Sequence, residues 1–101
     1  AAREEHPKPS AADLATARTL FQEGVQAFQQ ADYATARDRF EAAYQIVPKA
    51  PVLYNLARAE QLLGNQRKAC EHLAAWVRDG SAHPAQLQSA AAELQKCGIN
   101  P

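Results

Sequence analysis

Glycine and β-branched residues are scarce in this chain, and their scarcity limits the architecture before any motif is read. There are four glycines in 101 residues, with four valines and two isoleucines. No run of β-branched residues is long enough to read as a strand, so a sheet protein is not expected. Neither sign of charge is in excess: eleven Lys and Arg balance eleven Asp and Glu. Nucleic-acid binders show a basic excess or a basic stripe, so no nucleic-acid partner is expected. No apolar stretch approaches the ~18 residues of a membrane span, so this segment is not expected to insert into a bilayer. No signal peptide is evident. The sequence opens on Ala1 rather than Met, which leaves room for a removed targeting segment or for a longer parent protein.

The chemistry-bearing patterns are equally thin. Ser10, Ser81 and Ser89 have no glycine-flanked nucleophile elbow, and there is no glycine-rich phosphate loop. The carboxylates are dispersed along the chain. His72 lies two residues from Cys70, but residues two apart on a helix face different directions. Structural zinc sites need four ligands in paired spacings. His6 lies in the leader, and His83, before Pro84, reads as a turn or cap residue. The reading is therefore of a protein that is not an enzyme and has no metal site or cofactor.

What the chain does have is alanine, which supplies much of its 47% apolar share and is the strongest helix former. Residues 1–9, with two prolines, His6 and four charged side chains, read as a flexible leader. Residues 10–98 read as one domain. Ser10 and Asp13 suggest a capping box, opening a helix over 11–30 with the stripe Leu14, Ala17, Phe21, Gly24, Phe28 and Ala31. Asp32 caps a second helix carrying Tyr33, Ala36, Phe40, Ala43 and Val47, which Pro48 and Pro51 end. A third helix over 51–63 carries Leu53, Leu56, Ala57 and Leu63, and Gly64-Asn65 forms its C-terminal turn. A fourth over 66–78 buries Ala69, Leu73, Trp76 and Val77, and Asp79-Gly80-Ser81 breaks it. Pro84 suits the first turn of a fifth helix, with Leu87, Ala90, Leu94 and Cys97 on one face.

Sliding the sequence against itself by 33 residues superimposes two hairpins, about 17–49 and 50–80, leaving 84–97 as a closing helix. Phe21 falls on Tyr54, Gly24 on Ala57, Ala36 on Ala69, Phe40 on Leu73, and Ala31-Asp32 on Gly64-Asn65. Small residues fall where helices cross closely, and large ones where a gap must be filled. A period of this size signals stacked supersecondary units. The stretch Tyr54-Asn55-Leu56-Ala57, Leu63-Gly64-Asn65, Ala69 and Leu73 resembles a tetratricopeptide repeat. So does Gly24, Asp32-Tyr33, Ala36, Phe40, Ala43 and Pro48. The departures are a repeat one residue short of the usual 34, Ala27 in place of an aromatic, and Trp76 in place of a small residue. An ankyrin array would need short helices and a Thr-Pro-Leu-His-like turn, and has neither here.

The resemblance implies an all-α, right-handed superhelical stack of two antiparallel helix hairpins plus a C-terminal capping helix. It implies a protein-interaction module or scaffold whose first helices line a concave groove for a peptide or partner protein. The groove positions carried over are Phe21, Val25 and Phe28, then Tyr54, Asn55, Arg58, Gln61 and Leu62. The alternative for several of them is packing against the fifth helix or the leader. One subclass of the family clamps a C-terminal carboxylate with Lys and Asn on its first hairpin and Asn on its second. Asn55 matches, but Phe21 and Val25 stand at the other positions, and their side chains cannot donate hydrogen bonds. A structural module that assembles with its own copies, within a larger bacterial envelope protein, is the second functional expectation.

Cys70 and Cys97, 27 residues apart, read either as two buried thiols or as a disulfide. If helices four and five fold back around Gly80 the two come level, which favours the bond and an oxidising compartment. Phe-Gln-Glu-Gly at 21–24 and Tyr-Asn-Leu-Ala at 54–57 also resemble repeats of exported bacterial proteins. Together these suggest a periplasmic or otherwise exported protein, and a cytoplasmic one if the thiols are free.

Overall fold

A computed structural model of the chain describes residues 8–80 and 82–98. Five helices follow one another: α1 (Ala11–Gln29), α2 (Tyr33–Ile46), α3 (Ala50–Leu63), α4 (Gln66–Asp79) and α5 (Pro84–Lys96). They pack sequentially as antiparallel pairs, and no strand occurs among the described residues. None of these helices is long and apolar enough to cross a membrane. Of the expected leader, residues 1–7, His6 included, lie outside the described residues. Ser81 of the expected helix break lies outside them as well.

The helix ends have local causes. Ser10 Oγ accepts from the Asp13 amide at 3.0 Å, and Asp13 Oδ2 accepts from the Ser10 amide at 3.3 Å. Two of the free donors that open α1 are thus satisfied reciprocally. Asp32 caps α2 by accepting from the Thr35 amide. Pro51 and Pro84 sit in the first turns of α3 and α5, where their missing N–H is not needed. The two hairpins close identically. Ala31 and Gly64 both take left-handed conformations, at φ 62° and 85°. The next amide, of Asp32 or Asn65, donates to the carbonyl of Ala27 or Glu60, at 2.9 Å in both cases. These bonds satisfy carbonyls that the helix ends would leave free, and each atom lies 33 residues from its counterpart.

Helix α3 is buried on two faces. Val52, Leu56 and Ala59 join Ala27 of α1 and Ala36, Phe40 and Ala43 of α2 in one apolar cluster. Leu53 and Ala57 join Leu73, Ala74 and Trp76 of α4 and Ala90 and Leu94 of α5 in a second. Spacings of three and four residues define each face, as helical geometry requires. Burying a leucine side chain stabilises by roughly 1.5–3 kcal/mol, so Leu53 and Leu56 hold both clusters to the same helix. The single stripe expected for α3 missed Val52 and Ala59. Three residues expected on buried stripes are exposed. Leu14, 41% exposed, sits on the opening turns of α1; Leu63, 37% exposed, sits on the closing turn of α3; Ala31 lies in the turn itself.

Helix α5 meets α4 along a thinner seam, reinforced by the Cys70–Cys97 disulfide, with Cα atoms 6.1 Å apart. That separation is normal for the bond. Closing a loop of this length contributes roughly 3.5 kcal/mol on the chain-entropy model. The wide ring of Trp76 is buried in the second cluster with Ala90 and Leu94 of α5, which is why a large residue fits where a small one would otherwise stand.

Gly24 lies buried against Phe40. A β-carbon there would meet the ring at 2.6 Å from Cε1 and 2.7 Å from Cδ1. The second hairpin solves the same crossing with Ala57 against Leu73, a larger residue on one side and a smaller one on the other. Gly24→Ala gains roughly 1 kcal/mol in helix propensity but loses about 1–3 kcal/mol to overpacking. We expect it to be destabilising, and Phe40→Leu added to it to recover part of the loss by copying the second hairpin. Urea melts of the single and double variants check this; a stabilising Gly24→Ala would contradict it.

Candidate functional site

The groove candidates occupy the first helix of each hairpin. On α1, Phe21, Val25 and Phe28 are half-buried against the first cluster. Phe21 packs on Phe40 with ring centroids 5.5 Å apart, and Phe28 meets Tyr33 edge-on at 5.2 Å. On α3, Tyr54 leans on Trp76 at 4.8 Å. Phe21 and Tyr54 hold the same place in the 33-residue register, and their ring contacts match. Each is engaged by the second helix of its own hairpin, because Phe40 and Trp76 supply a large face close by.

The polar candidates are also partly committed. Asn55 donates from Nδ2 to the Pro51 carbonyl at 3.2 Å, within its own helix. Arg58 donates from Nη1 to Gln61 Oε1, and Gln61 donates from Nε2 to Glu93 Oε2 on α5, both at 3.3 Å. Leu62 remains 48% exposed.

Two clefts sort these residues. The larger, about 230 Å³, lies where the first turns of α1, the end of α2 and the start of α3 converge. Its walls are apolar, with Leu14, Phe21, Val47 and Val52, and its charged members are Arg18 and Lys49. The smaller, about 70 Å³, lies between Tyr54, Arg58, Gln61 and Leu73 on one side and Ala90 and Glu93 of α5 on the other. The closing helix therefore forms a wall beside Tyr54, Arg58 and Gln61, while Phe21 alone of the eight opens into the larger cleft. Val25, Phe28, Asn55 and Leu62 line neither of the two. Arg18 and Lys49 were not singled out from sequence. Arg18 stands three residues before Phe21 on the same helix face, a spacing that could have flagged it. Lys49 sits in the linker between Pro48 and Pro51, and only the fold brings it to the cleft.

One further polar pair is buried between α3 and α4. Glu60 is 0% exposed, and its Oε1 lies 2.6 Å from Nδ1 of half-buried His72. Its Oε2 is buried without a hydrogen-bond partner. In the 33-residue register Glu60 takes the place of Ala27, so a carboxyl fills a slot that a methyl fills in the first hairpin. Burying a polar group without a partner is costly, and His72 is the group that limits the cost. No group of three or more His, Cys, Asp or Glu side chains could hold a metal among the described residues.

No model of a known family, no curated protein and no solved structure matches the chain.

The Glu60–His72 pair makes a stability prediction. His72→Ala leaves both Glu60 oxygens buried without a partner, and we expect it to destabilise by about 1–3 kcal/mol. Glu60→Ala with His72→Ala copies the first hairpin, and we expect it to lie nearer the parent, since apolar replacement of a buried pair is often neutral or better. Chemical denaturation of both variants measures the difference; a double variant less stable than His72→Ala would contradict this account.

Proposed function

We propose that the chain is a tetratricopeptide-like binding module that holds a peptide or partner protein along α1 and the start of α3, and that it catalyses nothing. On this reading the two hairpins wind right-handed and α5 caps the stack. The observation that carries the proposal is the apolar cleft beside Phe21, about 230 Å³ and open to solvent at Leu14. Clefts lined by apolar side chains with few polar groups are common binding sites, and large rigid side chains such as Phe21 are favourable anchors because they lose little entropy on binding. The matched hydrogen bonds 33 residues apart support the repeat reading. The Cys70–Cys97 bond supports an oxidising, exported compartment such as a bacterial periplasm. Neither a cofactor nor a nucleic acid forms part of the proposal.

A second reading, self-assembly or a structural role within a larger envelope protein, draws on Leu62 and Leu63, adjacent and exposed at the end of α3. Light scattering separates the two. A dimer abolished by Leu62→Asp with Leu63→Asp favours assembly, and a monomer favours the open cleft.

The direct test is a random peptide library displayed on phage and panned against the oxidised full chain. We expect recovered peptides to bind about tenfold or more weakly to Phe21→Ala, a loss of roughly 1.4 kcal/mol, and to bind Arg37→Ala on α2 like the parent. Leu14→Asp, at an exposed position, should weaken binding similarly without touching the core. Recovery of no specific binder, or of binders indifferent to Phe21 and Leu14, would overturn the cleft reading.

A further inference from the structure

Charge is distributed unevenly around the larger cleft. Its lining contains Arg18 and Lys49 and no carboxylate. The acids of α1 are engaged elsewhere: Asp13 with the Ser10 amide, and Glu23 with Arg39 Nε at 3.2 Å. Among the described residues, neither Arg18 nor Lys49 takes part in a salt bridge, and both side chains are exposed. Two exposed cations thus stand beside an apolar recess walled by Leu14, Phe21, Val47 and Val52.

We infer that this cleft selects acidic–apolar peptides: a segment that seats a bulky apolar side chain against Phe21 and Val52 and carries a carboxylate within one or two residues of it, met by Arg18 and Lys49. The inference rests on the peptide-binding reading above and narrows it to one chemical class. Burial of the apolar side chain supplies the affinity, because the recess removes apolar surface from water. The carboxylate supplies the selectivity: hydrogen bonds between ionised partners are the stronger kind, and complementary charge at a rim steers encounter and rejects like charge. A basic peptide would place cation against cation at the same rim. Arg18 and Lys49 are not the positions of the carboxylate clamp, where Phe21 and Val25 stand, so the recognition uses other residues: Arg18 one turn before Phe21, and Lys49 in the linker before α3.

Three fluorescein-labelled octapeptides test this on the oxidised full chain by fluorescence anisotropy. One alternates Glu with Leu and Phe, the second has Gln at each Glu, and the third has Lys. We expect the acidic peptide to bind at least about tenfold more tightly than the Gln peptide, with the Lys peptide weakest. The advantage should shrink as salt screens the exposed rim, and should vanish in Arg18→Glu with Lys49→Glu. Both substitutions are at exposed positions, so the helix content of the variant should match the parent by circular dichroism. Equal binding of the acidic and Gln peptides, or an advantage indifferent to Arg18→Glu with Lys49→Glu, would overturn the charge selection while leaving peptide binding in place. Saturable binding of none of the three would overturn both. Decanoate, an apolar chain with a carboxylate and no peptide, should not displace the acidic peptide at equal concentration; displacement would assign the cleft to fatty acids and overturn the peptide assignment. Self-association that Arg18→Glu with Lys49→Glu abolishes would place a second copy in the cleft and overturn it likewise.

Discussion

Everything in this fold depends on α3 being packed from two sides. One face is completed by α1 and α2, and the other by α4 and α5. A helix used in this way cannot carry large side chains all round, because its neighbours must approach closely from both directions. Ala57 and Ala59 are fully buried on α3, and Ala36, Ala43 and Ala69 are buried on the helices around it. The abundance of alanine therefore has two causes that reinforce each other: it favours helix, and it lets helix axes come close. Tyr44 packs against both clusters, so the first hairpin reaches the second through α2 as well.

The two ends of the stack are treated differently. At the carboxy-terminal end α5 covers the second hairpin, buries Ala90 and Leu94, and is tied to α4 by the disulfide. A short helix with a thin packing seam gains most from such a link, because the bond restricts the unfolded chain whatever the contact area. At the amino-terminal end α1 leaves Leu14 exposed and the recess beside Phe21 open. The asymmetry is what separates a capped second hairpin from a first hairpin with an apolar wall still available. The functional proposal follows from that difference and would not follow from a symmetric pair of repeats.

Much of the fold was legible in the sequence because it is built from local rules. The Ser10–Asp13 box, the Asp32 cap, the prolines at 51 and 84 and the turn glycines fix helix limits within a few residues of chain. The 33-residue register set Gly24 on Ala57 as a small residue at a close helix crossing, and the structure supplies the Phe40 ring that it meets there. What was not legible came from tertiary arrangement. A one-stripe reading of α3 cannot show a helix buried twice, so Val52, Ala59 and Glu60 were missed. Glu60 could have been found by the register, which sets it on Ala27. The partners of Phe21 and Tyr54 depend on which neighbouring ring lies nearest, and the cleft with Arg18 and Lys49 is formed by the ends of three helices that sequence spacing does not relate. Of the groove positions taken from family resemblance, Phe21 therefore opens into the larger cleft, Tyr54, Arg58 and Gln61 face α5, and the other four line neither.

The central claim, that α3 is the helix both clusters share, has a direct measurement in native-state amide hydrogen exchange resolved by residue. Amides of α3 from Leu53 to Glu60 should be the slowest in the chain and should exchange only by global unfolding, since opening α3 exposes both clusters at once. Those of α1 before Ala17 should exchange by local fraying. Exchange from the middle of α3 faster than from the middles of α2 and α4 would show that the two hairpins are separate units, and would contradict the account.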